Sequence, residues 1–391
     1  MQDFIFEVST KILFGKDQLD KLGKEVKKYG TKVLLVYGGG SVKRTGLYDK
    51  IVDILNRDEI EYIDMPGIEP NPRIDSVRKG VKLVKENNID FVLAVGGGSV
   101  IDASKLIAAA AKTESDPWDI VIGKEKVKSA LPIGSILTIA ATGSEMDNGS
   151  VITNMETKQK LGWGSPHVLP KFAIMNPEFT FTVPKYHTAA GTADIMSHTM
   201  ENYFSVDESA YLQDRFAEGI LKTLIKYGPV AYNDPENYEA RANIMWANSW
   251  AINGLLDSGK SHGWSVHAME HELSALYDIT HGVGLAILTP KWLEFCLNEN
   301  TEKRIAEFGY NVFGIQKTDS TRLDAENAID ELYFFFKDEM HIPMSLKEVG
   351  IDESHLREMA DACIKNKGNK NINGFVELSA DDIYEIYRAC L

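Results

Sequence analysis

Apolar residues are spaced in two ways along this chain, and the change of spacing divides it. In the first half, short and nearly continuous apolar runs occur at Lys32–Tyr37 (KVLLVY), Tyr62–Met65, Phe91–Val95 (FVLAV), Ile133–Ile139 and Phe172–Met175. Runs of this length predict strands buried on both faces, as in a parallel sheet. Between them, residues 17–29 carry Leu19, Leu22 and Val26 on one helical face, and 45–56, 74–87 and 100–112 repeat that periodicity. The alternation predicts an α/β architecture with a mainly parallel sheet.

Beyond Thr182-Val183-Pro184, which reads as a helix entry with an early proline, the texture changes. Helical patterns follow at 185–204, 209–226, 236–256, 261–276, 283–297, 301–313, 322–338, 351–363 and 380–390, with few strand signals. We therefore expect two domains, 1–182 of α/β type and 183–391 all-α. Tyr333–Phe336 reads as helical core and 365–374 as a polar loop.

Composition bounds the function. A chain of 391 residues exceeds what one core usually supports. Hydrophobic content of 44% and charged content of 25% are those of a globular protein. Lysine and arginine number 42 against 57 acidic residues, a net charge of −15, which argues against nucleic acid or an anionic membrane as partner. Three scattered cysteines, Cys296, Cys363 and Cys390, give neither a disulfide framework nor a cysteine zinc site. The N-terminus has no signal-peptide pattern, and no apolar stretch approaches the ~20 residues of a membrane helix. A cytoplasmic location is the expectation.

Two glycine-rich turns follow predicted strands. In VLAVGGGSVID a buried strand ends at Gly96-Gly97-Gly98-Ser99 and a helix begins, so free N–H groups and the helix dipole favour a phosphate there. Ser99 adds a hydroxyl donor, and Asp102 can polarise a cofactor amide. This is not G-x-G-x-x-G, and a tight turn with nothing bound is the plain alternative. The earlier turn, Gly38-Gly39-Gly40-Ser41, lacks the carboxylate that commonly binds the ribose of NAD and has Lys43 and Arg44 nearby, which favours NADP(H). A third stretch, 137–154, offers Thr138, Thr142, Ser144, Asn148 and Ser150, with Lys160 shortly after. Taken singly, each of these reads as a turn residue.

Five of the nine histidines, His198, His262, His267, His271 and His281, fall between Gly191 and Gly282. Asp194 and His198 are four apart, on one face of a predicted helix, and can chelate one ion. His267 lies in a second helical stretch, and His281 sits where a helix meets a loop. An aspartate with three histidines suits Fe²⁺ or Zn²⁺ rather than Ca²⁺ or Mg²⁺. Four protein ligands ordinarily make a closed structural site, so a catalytic reading requires the coordination to expand. Hydrogen-bonded helix side chains without a metal are the alternative.

The stretches GGGSVID (96–102), TIAATGSEM (138–146), GTADIMSHTMENYF (191–204) and HAMEHELSALYDITHG (267–282) together resemble the iron-dependent (group III) alcohol dehydrogenases, specifically the NADPH-dependent butanol dehydrogenase and broad aldehyde reductase branch. The resemblance runs along essentially the whole chain. It implies a Rossmann-like N-terminal domain, a helical C-terminal domain and a cleft between them, the dehydroquinate synthase-like fold. It implies metal ligands at Asp194, His198, His267 and His281. Cofactor contacts are implied at Gly38, Gly39, Ser41, Asn71, Gly97, Gly98, Ser99, Thr138, Thr142 and Lys160, with His271 near the nicotinamide. A homodimer acting on a small alcohol or aldehyde is implied as well, with NADP(H) and one divalent ion, Fe²⁺ or Zn²⁺. His271 is then either a proton relay or a support for a metal ligand. A polyol dehydrogenase, a dehydroquinate synthase-like lyase and a non-catalytic sensor are the rival readings.

Overall fold

The computed structural model describes residues 1–205, 209–261 and 263–391. Its α/β part is built on a six-stranded, all-parallel sheet. The strands are β1 (Lys11–Phe14), β2 (Lys32–Tyr37), β3 (Glu61–Met65), β4 (Phe91–Gly96), β5 (Ile133–Leu137) and β8 (Phe172–Met175), in the order β1-β8-β5-β4-β2-β3. The apolar runs are continuous because both faces of the sheet are covered. Leu34, Val36, Val92 and Ala94 enter one core cluster, while Val33, Leu35, Tyr37, Phe91, Leu93 and Val95 enter the other. The alternation is the period of two that a strand imposes.

Helices connect the strands. α1 (Leu47–Arg57) buries Leu47, Ile51, Ile54 and Leu55 at helical spacing, and α2 (Ile74–Asn87) is closed by Asn88 in the left-handed region. α3 (Gly98–Ala110) is buried on nearly every side, as its apolar and small-residue composition requires. Sequence reasoning missed two features here. β1 pairs in parallel with β8, and an antiparallel hairpin joins β6 (Gly149–Asn154) to β7 (Gln159–Gly164) within the hydroxyl-rich stretch. The helix expected over 17–29 is a 3₁₀ segment, Lys16–Lys21, followed by a short α-helix, Leu22–Val26, because Asp17 leaves helical geometry.

The rest of the chain is helical: α4 (Lys185–Tyr203), α5 (Tyr211–Asn233), α6 (Tyr238–Trp250), α7 (Ser265–Tyr277), α8 (His281–Cys296), α9 (Glu302–Phe308), α10 (Thr321–Phe334), α11 (Leu356–Asn366) and α12 (Ala380–Ala389). An α/β Rossmann-like part is thus followed by an all-α part. By packing, the chain forms two units, one of Glu7–Val183 with Pro235–Ser249 and one of Met1–Phe6, Pro184–Asp234 and Trp250–Leu391. Two segments therefore join the unit from which a single linear cut would separate them. Met245 of α6 belongs to a core cluster of the α/β unit. Among the described residues no helix is long and apolar enough to cross a membrane.

All three cysteines are free and buried. Burial pushes their thiols up, that of Cys390 to about 12, which leaves almost no thiolate at neutral pH. The native protein should therefore resist a thiol-specific chromogenic reagent at pH 8 and release three equivalents only after denaturation. Rapid labelling of the native state would show that one of these thiols is not where the fold puts it.

Candidate metal centre and dinucleotide crevice

In the helical unit, three helices bring acid and imidazole side chains to one point. On α4, Asp194 and His198 share a buried face. His267 lies in the first turn of α7, and His281 is the first residue of α8. From Asp194 Oδ1, His198 Nδ1 is 3.4 Å away, His281 Nε2 3.7 Å and His267 Nε2 3.9 Å. Ligands about 2.1 Å from a tetrahedral ion stand roughly 3.4 Å apart, so the spacing is close to that of a coordination shell. The His198 and His267 rings stack with centroids 4.4 Å apart, and Trp264 meets both edge-on.

Close approach of α8 to α4 depends on Gly282. A Cβ there would collide with the backbone carbonyl of Ala190, so only glycine brings His281 this near to Asp194. Asp194, His198 and His267 are buried, whereas His281 keeps about a fifth of its side-chain surface and is the open side of the cluster. Burial, reinforced by the neighbouring His267 ring, holds His198 well below the usual histidine range. It is therefore neutral, as a ligand must be. His198 Nδ1 is buried and has no hydrogen-bond partner among the described residues. A donor set of one carboxylate oxygen and three imidazole nitrogens, one of them in that state, fits a borderline divalent ion.

Behind two of the histidines stand carboxylates that sequence reasoning missed. Glu201 Oε2 receives His267 Nδ1, and Glu270 Oε2 receives His281 Nδ1. The signal was in the sequence: His-x-Met-Glu occurs at 198–201 and again at 267–270. His271 lies one turn beyond His267, half-buried, its ring 5.9 Å from that of His281. His262 lies outside the described residues.

In the α/β unit, the chain turns from β2 outward to β3 but from β4 the other way, to β5. Neighbouring strands β2 and β4 therefore flank a topological switch point, where open parallel sheets bind nucleotides. Tyr37 pairs with Val95 and Gly96 with Leu137, so Gly38–Ser41, Gly97–Ser99 and Thr138–Thr142 leave adjacent strands at one end of the sheet. α3 begins at Gly98 with no side-chain cap on its first turn, a position suited to an anion. The glycines also serve packing. A Cβ at Gly97 would collide with Ile139 and one at Gly98 with Thr142, whereas Gly39 faces open space.

Asn71 adopts the left-handed region that asparagine tolerates, and the next residue, Pro72, accepts from Thr153 N at 2.9 Å. Lys160 is buried on β7, opposite Thr153. Asp102 is engaged by the protein itself. Its Oδ1 accepts from Ser144 Oγ at 2.6 Å and its Oδ2 from Val151 N at 2.7 Å. Burial raises it to about 6. One helical turn on, fully buried Lys105 donates to Ser144 Oγ, Asp147 Oδ1 and Gly149 O. Asp102 and Lys105 thus fasten α3 to the β6–β7 hairpin.

The family profile described as iron-containing alcohol dehydrogenase matches residues 9–177, and that described as the C-terminal part of the Fe-containing alcohol dehydrogenase family matches 188–391. NADH-dependent butanol dehydrogenase B of Clostridium acetobutylicum is 53% identical, over 99% of both chains. The NADPH-dependent aldehyde reductase YqhD of Escherichia coli is 38% identical over the full length of both. A crystal structure of NADH-dependent butanol dehydrogenase A from Thermotoga maritima superposes with a TM-score of 0.95 at 38% identity, covering 100% of this chain and 99% of that one.

Replacing Asp102 with alanine removes the acceptor of Val151 N–H and of the Ser144 hydroxyl, which keeps its bond from Lys105; bonds of this kind to a charged acceptor are worth about 1.5–3 kcal/mol. Amide exchange at Val151 should accelerate and the melting temperature should fall by several degrees. Unchanged exchange at Val151 would show that the hairpin does not depend on this anchor.

Proposed function

Given that this chain belongs to the iron-containing alcohol dehydrogenase family, we propose that it is a metal-dependent oxidoreductase interconverting small primary alcohols and aldehydes of the butanol and butanal type, with NADP(H). The observation that carries the reading is the meeting of Asp194, His267 and His281, whose ligand atoms lie within 4.8 Å of one another, with His198 Nδ1 3.4 Å from Asp194 Oδ1 beside them. A divalent ion held by Asp194, His198, His267 and His281 would supply Lewis acidity toward the substrate oxygen, and a bound nicotinamide would supply the hydride chemistry.

The protein's own groups do the rest. Asp194 and the three imidazoles hold the ion, and the exposed side of His281 is where a small substrate reaches it. Trp264 and the surrounding burial keep bulk water from the other sides. In this reading His271, one turn from His267, passes a proton to or from the substrate oxygen. Gly38, Gly39, Ser41, Asn71, Gly97, Gly98, Ser99, Thr138, Thr142 and Lys160 are our cofactor contacts, with the pyrophosphate at the start of α3. In this assignment Asp102 orders the hairpin carrying Lys160, and through it the cofactor.

Support for NADP(H) comes from 38–44. No carboxylate follows β2, Ser41 is exposed, and an Arg44 nitrogen lies 3.7 Å from where a Cβ on Gly40 would stand. Lys43, raised by its hydrogen bond to Tyr37, remains cationic close by. The 53% identical relative carries NADH in its name, which favours NAD(H) as a second reading. A homodimer is part of the proposal on family grounds.

The deciding assay follows butanal reduction by chelator-stripped protein reloaded separately with Fe²⁺ and with Zn²⁺, using NADPH and NADH in parallel. Activity should vanish on stripping, return with metal and favour NADPH. A preference for NADH would overturn the cofactor choice, and full activity in verified metal-free protein would remove the metal from the mechanism. His271→Ala should lower turnover about 100-fold while metal content by elemental analysis stays at the wild-type level. Loss of metal in that variant would instead make His271 part of the metal site.

A further inference from the structure

Each of the two carboxylates beside the metal centre reaches a histidine on another helix. Glu201 follows His198 by three residues on α4 but reaches across to His267 on α7. Glu270 follows His267 by three residues on α7 but reaches across to His281 on α8. The three helices are therefore linked in a fixed direction, each carboxylate supporting the imidazole of the next.

Both carboxylates are almost fully buried, at 1% and 0% exposure, and each is further committed. The first turn of α7 has no cap from its own Trp264. Glu201 supplies it from another helix, its Oε1 accepting from Val266 N at 2.6 Å and its Oε2 from His267 N at 3.1 Å. These are the second and third N–H groups of the helix, which a capping side chain ordinarily takes. Glu270 accepts from Ser274 Oγ at its other oxygen. The space that Glu270 occupies is kept open by Gly284 of α8, where a Cβ would lie 2.9 Å from Glu270 Cγ and 3.3 Å from its Oε1.

A neutral imidazole carries one N–H. With that proton on Nδ1 and given to a carboxylate, the Nε2 lone pair is left facing outward. In both His267 and His281, Nε2 is the atom turned toward Asp194. A carboxylate behind a ligating imidazole fixes its tautomer and its orientation and raises its basicity.

We propose that Glu201 and Glu270 are positioning residues that orient His267 and His281 for one divalent ion, with Glu201 dominant because it also caps the helix that carries Glu270. Loss of Glu270 releases His281 alone. Loss of Glu201 releases His267 and loosens the first turn of α7, and Glu270 lies one turn further along. The inference rests on the metal-centre reading above, and its test separates the two.

Full-length protein is stripped with a chelator, and Zn²⁺ affinity is measured by competition with a chromophoric chelator. The visible absorption of the Co²⁺ form reports ligand geometry, and the melting temperature of the metal-free form is recorded alongside. Glu270→Gln should weaken Zn²⁺ binding about 10- to 100-fold and alter the Co²⁺ bands, with no matching fall in metal-free melting temperature. Glu201→Gln should weaken binding further and also lower that melting temperature. Gly284→Ala, which keeps both carboxylates but displaces Glu270, should reproduce the Glu270→Gln loss and stands in for either variant that fails to fold. Affinities within about twofold of wild type in the folded variants, where such support is normally worth 10-fold or more, would overturn the positioning role. So would lower metal-free stability with unchanged affinity, which marks a purely structural part. Wild-type protein that binds neither ion overturns the metal reading itself.

Discussion

Three carboxylates, Asp194, Glu201 and Glu270, are buried in one three-helix cluster, and the helical unit is arranged around that constraint. A buried anion must find hydrogen bonds or opposite charge. Asp194 faces three imidazoles, Glu201 takes two backbone N–H groups and a ring nitrogen, and Glu270 takes a serine hydroxyl and a ring nitrogen. These partners fix the rotation of α4, α7 and α8 about their axes. The close approach they demand explains Gly282 and Gly284, one against the backbone of Ala190 and the other against Glu270. The end of α4 is held by a second polar group, in which Arg304 donates to Tyr203 O at 2.8 Å and pairs with Asp214 at 2.7 Å, beside buried Lys260.

In the α/β unit the equivalent constraint is strand order. Placing β2 beside β4 sets two glycine turns next to each other, and placing β5 beyond β4 adds a third loop. Their glycines then answer two demands at once. They admit a ligand where the surface is open, as at Gly39, and they admit the protein's own Ile139 and Thr142 at Gly97 and Gly98. Around the hairpin, Glu145 takes Asn248 Nδ2 at 2.9 Å and Ser249 Oγ, and burial raises it to about 6. That contact ties the loop after β5 to α6.

The central strands and most helices were legible because their patterns are strong. β2 is apolar from Val33 to Tyr37 and β4 throughout, and α2 runs from Ile74 to Asn87 as its periodicity indicates. β1 was not, because four residues make a weak pattern and its partner lies far along the chain. The hairpin was hidden by Ser150 and Thr153, polar residues that are nevertheless buried. At the metal centre, Asp194 and His198 were legible from their spacing and the other histidines from their clustering. Glu201 and Glu270 were not, because acids are common in helices and the partner of each lies on a different helix. Asp102 was visible as an acid shortly after the glycine turn, but its engagement by Ser144 and Val151 depends on a hairpin that had not been recognised.

The pairing of β1 with β8, and the place of Met245 in the sheet's core, bear on how the chain assembles as it is synthesised. Sequence contacts this distant slow folding and leave early segments waiting for later ones. β1 emerges first yet has no strand to pair with until Phe172–Met175 is made. The α/β unit then still lacks Pro235–Ser249, which follows two helices of the other unit, α4 and α5. The nascent chain cannot complete one unit and then begin the next. Maturation of the nucleotide half is tied to translation of the metal half, so a ribosome stalled after residue 183 would hold a sheet whose core still lacks Met245 and the rest of Pro235–Ser249.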